Sequence, residues 1–264
     1  MNDKVSQIEI IPYDPNWPKQ FQQVAEFLKK ILGTHCLNVH HIGSTAVPGL
    51  SAKPKIDVMC IVDQLDHALI LQDHGYEFRG EWNIPMRYGF SYRSDDLNVN
   101  LHVVEPDHSF IPLNLTFRDY LREDDQARDE YDALKIELLK DPSSHKRVQF
   151  GLPMYTLRKD ALIKRFLEEA GYQGFGLNLC VHPHEWEEYH QILGKEAEDD
   201  PNHFHFIFYM GAKIIGAAHV EFLSERKCAL RALMIDPPVQ EKEMLKRIKK
   251  WFTLKGRNLT LPGS

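Results

Sequence analysis

The stretch His41-Ile42-Gly43-Ser44-Thr45-Ala46-Val47-Pro48-Gly49-Leu50, continuing through Lys53-Pro54 to Ile56-Asp57-Val58, couples a glycine-serine turn to a strand-borne carboxylate. A Gly-Ser pair leaving a strand lets backbone N–H groups and a hydroxyl approach a phosphate closely. An Asp on the next strand can hold the magnesium ion that accompanies that phosphate. Gly43, Ser44 and Asp57 therefore read as half of a phosphoryl-transfer site. The structural alternative is a tight turn capped by a buried Asp.

Working outward, Ile8–Tyr13 reads as a short strand, Asp14-Pro15-Asn16-Trp17-Pro18 as a turn feeding a helix to about Leu32, and Val39–Ile42 as a strand. Lys55–Val62 is a buried strand, Asp66–His74 a helix, and Met86–Tyr92 and Asn98–Val104 two further strands. Phe117–Leu139 and Tyr155–Ala170 have helical periodicity. Three glycines in Gly171–Gly176 mark a linker, giving domains at 1–170 and 177–264. Beyond it, Leu177–Val181, His203–Met210, Ile214–Leu223 and Cys228–Ile235 are strands, Glu185–Leu193 and Glu241–Lys255 helices, and Asn258–Leu261 a last short strand. The fold class is α/β (α+β) in both parts.

The 264 residues are 43% hydrophobic and 27% charged, enough apolar matter for a packed core. Thirty-two basic against 38 acidic residues leave a net charge of −6, with the excess acid in residues 1–171. That balance disfavours nucleic acid as a partner and an anionic membrane as a surface. The absence of a long apolar run or secretory start, and four dispersed cysteines, lead to the expectation of a cytoplasmic protein with reduced thiols.

Pro12–Pro18, His41–Leu50, Ala52–Asp57, Leu101–Val104, Phe117–Arg122 and Tyr131–Lys135, with Tyr155 and Lys159 as Tyr-x-x-x-Lys, resemble the signature segments of the GrpB family across roughly residues 8–167. The resemblance implies a nucleotidyltransferase-like mixed sheet with flanking helices. It puts Gly43, Ser44 and Asp57 at the nucleotide site, beside His41 and Thr45 of the same turn. Lys53, Arg87, Arg118, Arg122, Lys135 and Lys159 are the candidate phosphate-binding cations, since an acidic domain must supply its own local positive charge. Each taken alone also suits a surface ion pair. Active nucleotidyltransferases usually carry two carboxylates on one strand face, whereas this chain has Asp57-Val58-Met59, and magnesium binds a thioether poorly. Alternation places Asn98, Asn100 and His102 on one face of the later strand, and His102 joins Asp57 as a candidate catalytic residue.

His203–Met210, Gly211-Ala212-Lys213, Ile214–Leu223 and Ala229–Pro238, followed by a basic amphipathic helix, resemble the central part of a GNAT acetyltransferase. Gln240 matches that family's pyrophosphate turn, but Glu243 stands where its first glycine belongs, so coenzyme A is not expected to bind. An assembly role, as in a homodimer through this part, is the alternative. His203 and His205 read as a solvated strand face, and Lys246, Arg247, Lys249 and Lys250 as the solvent side of a helix. The leading expectation is a nucleoside triphosphate bound with Mg2+ at Asp57, its nucleotidyl group passing to an unknown small-molecule acceptor. The runners-up are a non-catalytic nucleotide sensor or scaffold, and an acetyltransferase with an accessory nucleotide domain.

Overall fold

The computed structural model describes residues 8–148, 151–194, 202–237 and 240–261. By its internal contacts the chain divides into two units, Met1–Trp82 with Met86–Tyr172, and Asn83–Pro85 with Gln173–Ser264. The four cysteines are free thiols.

The first unit opens with helix α1, Trp17–Leu32, whose proline lies in the first turn, where its missing N–H costs nothing. Val24, Leu28 and Leu32 recur at four-residue spacing and are buried, so the helix has one apolar stripe to cover. It covers it against strands β1 Cys36–Ile42, β2 Ile56–Val62, β3 Glu77–Gly80, β4 Tyr88–Arg93 and β5 Asn98–Val104, ordered β1-β2-β5-β4-β3. β2 and β5 run parallel and the other neighbours antiparallel, so the sheet is mixed. One sheet face carries Val58, Cys60, Val62, Leu101 and Val103 into a core with Trp17, Val24 and Leu28. At about 1.5–3 kcal/mol for each fully buried large apolar side chain, this face anchors the unit. The alternate residues Asp57, Asn100 and His102 necessarily point the other way.

Among the described residues four α-helices follow: α2 Phe110–Glu123, α3 Asp125–Lys140, the single turn α4 Met154–Leu157, and α5 Asp160–Glu169. Leu121, Ala127, Tyr131 and Phe166 from α2, α3 and α5 form a second core with Val47 and Leu50, which holds these helices against the segment after β1.

Several elements differ from the sequence expectation. Ile8–Tyr13 forms no strand, making a single bridge from Ile11 to Ala52. Leu65–His74 is a 3-10 helix rather than an α-helix. The long helical pattern around Phe117–Leu139 is two helices, because Asp124 adopts extended backbone angles and its carboxylate caps the second by accepting from the Ala127 N–H. β3 was not anticipated.

In the second unit, β6 Phe175–Leu179, β7 His203–Met210, β8 Lys213–Ser224 and β9 Lys227–Ile235 form an antiparallel meander. Helix α6, Pro183–Leu193, separates β6 from β7, and α7, Glu241–Leu254, carries the chain to β10, Asn258–Thr260, parallel to β9. Both faces of β7 are covered: Phe204 and Phe206 pack edge-on against Trp251, while His205 is 7% exposed and bonds the Tyr189 hydroxyl at 2.8 Å. The expected solvated histidine face is therefore corrected. Alternation separates two faces but does not say that one of them is wet. No helix among the described residues is long and apolar enough to cross a membrane.

Candidate functional site

Parallel pairing of β2 with β5 sets Asp57 opposite Asn100 and Met59 opposite His102. The Asn100 amide donates to Asp57 Oδ1 at 2.7 Å and lies 2.9 Å from His102 Nε2, so that ring nitrogen is the acceptor. His102 Nε2 itself stands 4.0 Å from Asp57 Oδ1. Burial, then the nearby Arg87 guanidinium, keep the His102 imidazole neutral well below its usual range. His102 thus orients Asn100, which orients the carboxylate. It is a positioning residue.

Arg87 supports that ring from behind. It is 5% exposed, lies over the rings of Trp82 and Phe110, and has Nε buried without a hydrogen-bond partner among the described residues. Burial lowers its pKa to about 9, which leaves it charged at neutral pH.

The other Asp57 oxygen faces the turn. Gly43 has φ +68, and a Cβ built on it would lie 2.6 Å from Asp57 Oδ2, so a side chain is excluded on both strain and space. Ser44 follows, half-buried, with no hydrogen bond to its hydroxyl among the described residues. The Asp57 side chain keeps 31% exposure, so it opens outward rather than being sealed in. Burial pushes its pKa up, opposed by the Asn100 bond and by Lys55, Lys53 and Lys159.

The ammonium groups of those three lysines have neither a hydrogen bond nor an ion pair among the described residues. Lys53 Nζ lies 4.9 Å and Lys159 Nζ 4.7 Å from the centre of the Tyr155 ring. Burial, then Lys159, lowers Lys53 to about 8, and burial lowers Lys159 to about 8 against the pull of Asp57. Lys55 is lowered too, chiefly by burial. Beside Lys53 a surface hollow of about 260 Å³ is lined also by His145, Arg147 and Glu9. Four cations, Lys53, Lys55, Lys159 and Arg147, against two carboxylates, Asp57 and Glu9, leave a local positive excess that an anion would relieve.

The remaining expected site residues hold the turn. His41 stacks on Phe21 with ring centres 4.7 Å apart, and its Nε2 lies 3.0 Å from the Thr45 hydroxyl. Burial, then Arg122 and Arg118, lower it to about 4, so it is uncharged at neutral pH. Arg118 donates to the His41 carbonyl at 2.9 Å and grips Asp119 with its other nitrogens. Arg122 donates through Nε and another nitrogen to the Ala46 carbonyl, at 2.9 and 2.7 Å. Lys135, 1% exposed, donates to the Ser51 carbonyl and pairs with Asp132 at 3.2 Å. These three cations bond the loop backbone and the carboxylates of Asp119 on α2 and Asp132 on α3. Lys55 and Asn100 were missed as site residues, although the spacing Lys55-Ile56-Asp57 already put Lys55 on the face of Asp57.

Mg2+ takes oxygen ligands and is commonly held by one or two carboxylates together with substrate phosphates. Asp57 supplies one such carboxylate. Met59 is fully buried and offers no oxygen, and no second carboxylate joins Asp57 in a metal-ligand group among the described residues. The donor set fits an ion shared with a polyphosphate and does not fit one caged by protein alone.

The family described as GrpB protein matches residues 7–169. A UPF0157 protein of Halalkalibacterium halodurans is 34% identical over 173 residues, covering 62% of this chain and 82% of that protein. A UPF0157 protein of Bacillus subtilis is 33% identical over 170 residues, and the matched segment spans 47% of its length. The crystal structure of the conserved protein GrpB from Enterococcus faecalis, 34% identical, superposes on 61% of this chain and 96% of its own with a TM-score of 0.52. The family match over residues 7–169 takes in Asp57, the Gly-Ser turn and the lysines, and through that part the chain belongs to the GrpB family.

Proposed function

We propose that the first unit binds a nucleoside triphosphate with its magnesium ion and passes the nucleotidyl group to a small acceptor. The observation that carries this reading is the trio Lys53, Lys55 and Lys159, whose ammonium groups are unpaired among the described residues and gathered about the carboxylate of Asp57. Desolvated ammonium groups without partners are costly to keep and gain most from a polyanion. Lys53 and Lys159 bind phosphate oxygens, the Gly43-Ser44 turn lets the phosphates approach Asp57, and Asn100 fixes the carboxylate that reaches the magnesium ion. Bound there, the ion would neutralise phosphate charge and polarise the bond to be broken. The hollow beside Lys53 offers room for part of the ligand.

The reading is tested by following pyrophosphate release from each of the four common ribonucleoside triphosphates with magnesium and a panel of small hydroxyl and amine acceptors. Release that Asp57→Ala abolishes is the expected result. Saturable nucleotide binding without release would favour a second reading, a non-catalytic nucleotide sensor, which Met59 in place of a second carboxylate supports. For the second unit we propose an acetyltransferase-like scaffold used for assembly. Its support is Glu243, whose carboxylate sits in the first turn of α7 and takes the Arg247 Nε–H at 3.0 Å, a poor neighbour for a pyrophosphate.

A further inference from the structure

At the far end of β2 from Asp57, six residues and roughly 20 Å along the strand, three side chains that the proposed reaction does not use meet at the surface. His35 lies just before β1, Asp63 just after β2, and His67 in the first turn of the 3-10 segment. The Asp63 N–H donates to the His35 carbonyl at 3.2 Å, next to the paired residues Cys36 and Val62, so the ladder fixes the two backbones side by side. His35 Nδ1 lies 2.9 Å from Asp63 Oδ2 and His67 Nδ1 2.7 Å from Asp63 Oδ1. The imidazole centres are 3.7 Å apart, and one ligand atom from each residue lies within 4.8 Å of the others. Gln64 donates its N–H to Asp63 Oδ1 at 2.8 Å, further setting the carboxylate.

Two imidazoles aimed at one carboxylate need a proton on each Nδ1, and neither Nε2 has a hydrogen-bond partner among the described residues. A divalent ion can take the place of the two bridging protons, each ring staying neutral with its single proton moved to Nε2. Tetrahedral nitrogen and oxygen ligands at about 2.0–2.1 Å from an ion stand roughly 3.3 Å from one another. The present separations of 2.7 and 2.9 Å need to open by only about half an ångström. Side chains exposed by 46%, 40% and 34% have the freedom to do so. Two imidazoles and a carboxylate suit zinc and its borderline neighbours, whereas magnesium and calcium prefer oxygen alone.

We propose that His35, Asp63 and His67 form a binding site for a divalent transition-metal ion of the zinc type, with water completing its coordination. The bound ion clips the start of β1 to the segment after β2. The site is separate from Asp57 in place and in donor chemistry.

The test is calorimetric titration of the full chain with zinc chloride, and with cobalt chloride followed by visible absorption, which reports nitrogen ligation. The expected result is one equivalent whose affinity falls roughly tenfold or more in both His67→Ala and Asp63→Asn. Zinc should also raise the thermal midpoint of the wild type more than that of either variant. Circular dichroism checks that the variants are folded, and His35→Ala gives a third independent removal of a ligand. Asp57→Asn should leave the titration unchanged, which separates this site from the nucleotide reading. A wild type without saturable zinc binding would overturn the proposal, as would folded His67→Ala and Asp63→Asn forms that bind zinc as tightly as the wild type.

Discussion

Gly43 and Asp57 touch so closely that neither tolerates a larger neighbour, and the lysines facing them are held at a disadvantage that Asp57 offsets in part. Gly43→Ala should lower stability by about 1–3 kcal/mol through strain at φ +68 and the contact with Asp57, read as a shift in the urea midpoint, and should weaken nucleotide binding with it. Lys159 makes the opposite trade. Its pKa falls from 10.5 to about 8 on folding, so at pH 7 the folded state pays to keep the charge, and stability recovers as pH rises from about 8 toward 10.5. Lys159→Met should therefore raise the thermal midpoint at pH 7 while abolishing polyphosphate binding; a variant that loses stability would contradict this. In the wild type, affinity for a triphosphate should fall as pH rises through about 8, because Lys53 and Lys159 lose their protons there. Calorimetry at pH 7, 8 and 9 reads the slope, and an affinity constant over that range would place the binding charge on ordinary lysines. That Gly43 stands beside Asp57 was legible from the motif, while Lys53 and Lys159 came with the family resemblance. The split of the other cations into ligand-facing and loop-holding was not, since a guanidinium bonded to a backbone carbonyl leaves no trace in the spacing of residues.

At the scale of elements, α2 acts on the turn through two arginines. Arg118 holds the carbonyl that enters it and Arg122 the carbonyl at its far side, so the helix fastens the loop. Arg122→Ala leaves the Ala46 carbonyl short of two donors and should cost about 1–3 kcal/mol. Nucleotide affinity should drop with little change in the salt dependence of binding, and a lost salt dependence would instead make Arg122 a phosphate ligand. The strands were readable where they were long and β-branched, as in Ile56–Val62. Glu77–Gly80 was missed because four residues ending in glycine carry too short an alternation. The 3-10 character of Leu65–His74 was missed because its apolar residues alone do not distinguish three residues per turn from 3.6. The start of α2 at Phe110 was hidden by Pro112, which a first helical turn accepts without loss.

For the whole molecule, each of the two sheets packs core residues of its own, and the proposed chemistry belongs to the first sheet. Phe252, fully buried against Phe204 and Trp251, anchors the second. Phe252→Ala should cost about 3–5 kcal/mol in that unit and leave nucleotide affinity unchanged, as compared by calorimetry below the unfolding temperature. The sequence pattern conveyed the mixed α/β class of both units. It did not convey that β7 is covered on both faces, because a histidine packed against tyrosine and tryptophan looks the same in a strand as one facing water. The claim on which the rest depends is that the Gly-Ser turn, Asp57 and the unpaired lysines together hold a magnesium-bound polyphosphate. Its most direct measurement is calorimetric titration of magnesium with each of the four ribonucleoside triphosphates into wild type, Asp57→Asn and Lys159→Ala at pH 7. The account predicts saturable binding of at least one by the wild type and its loss in both variants; a folded wild type that binds none of them, or variants that bind as it does, would contradict it.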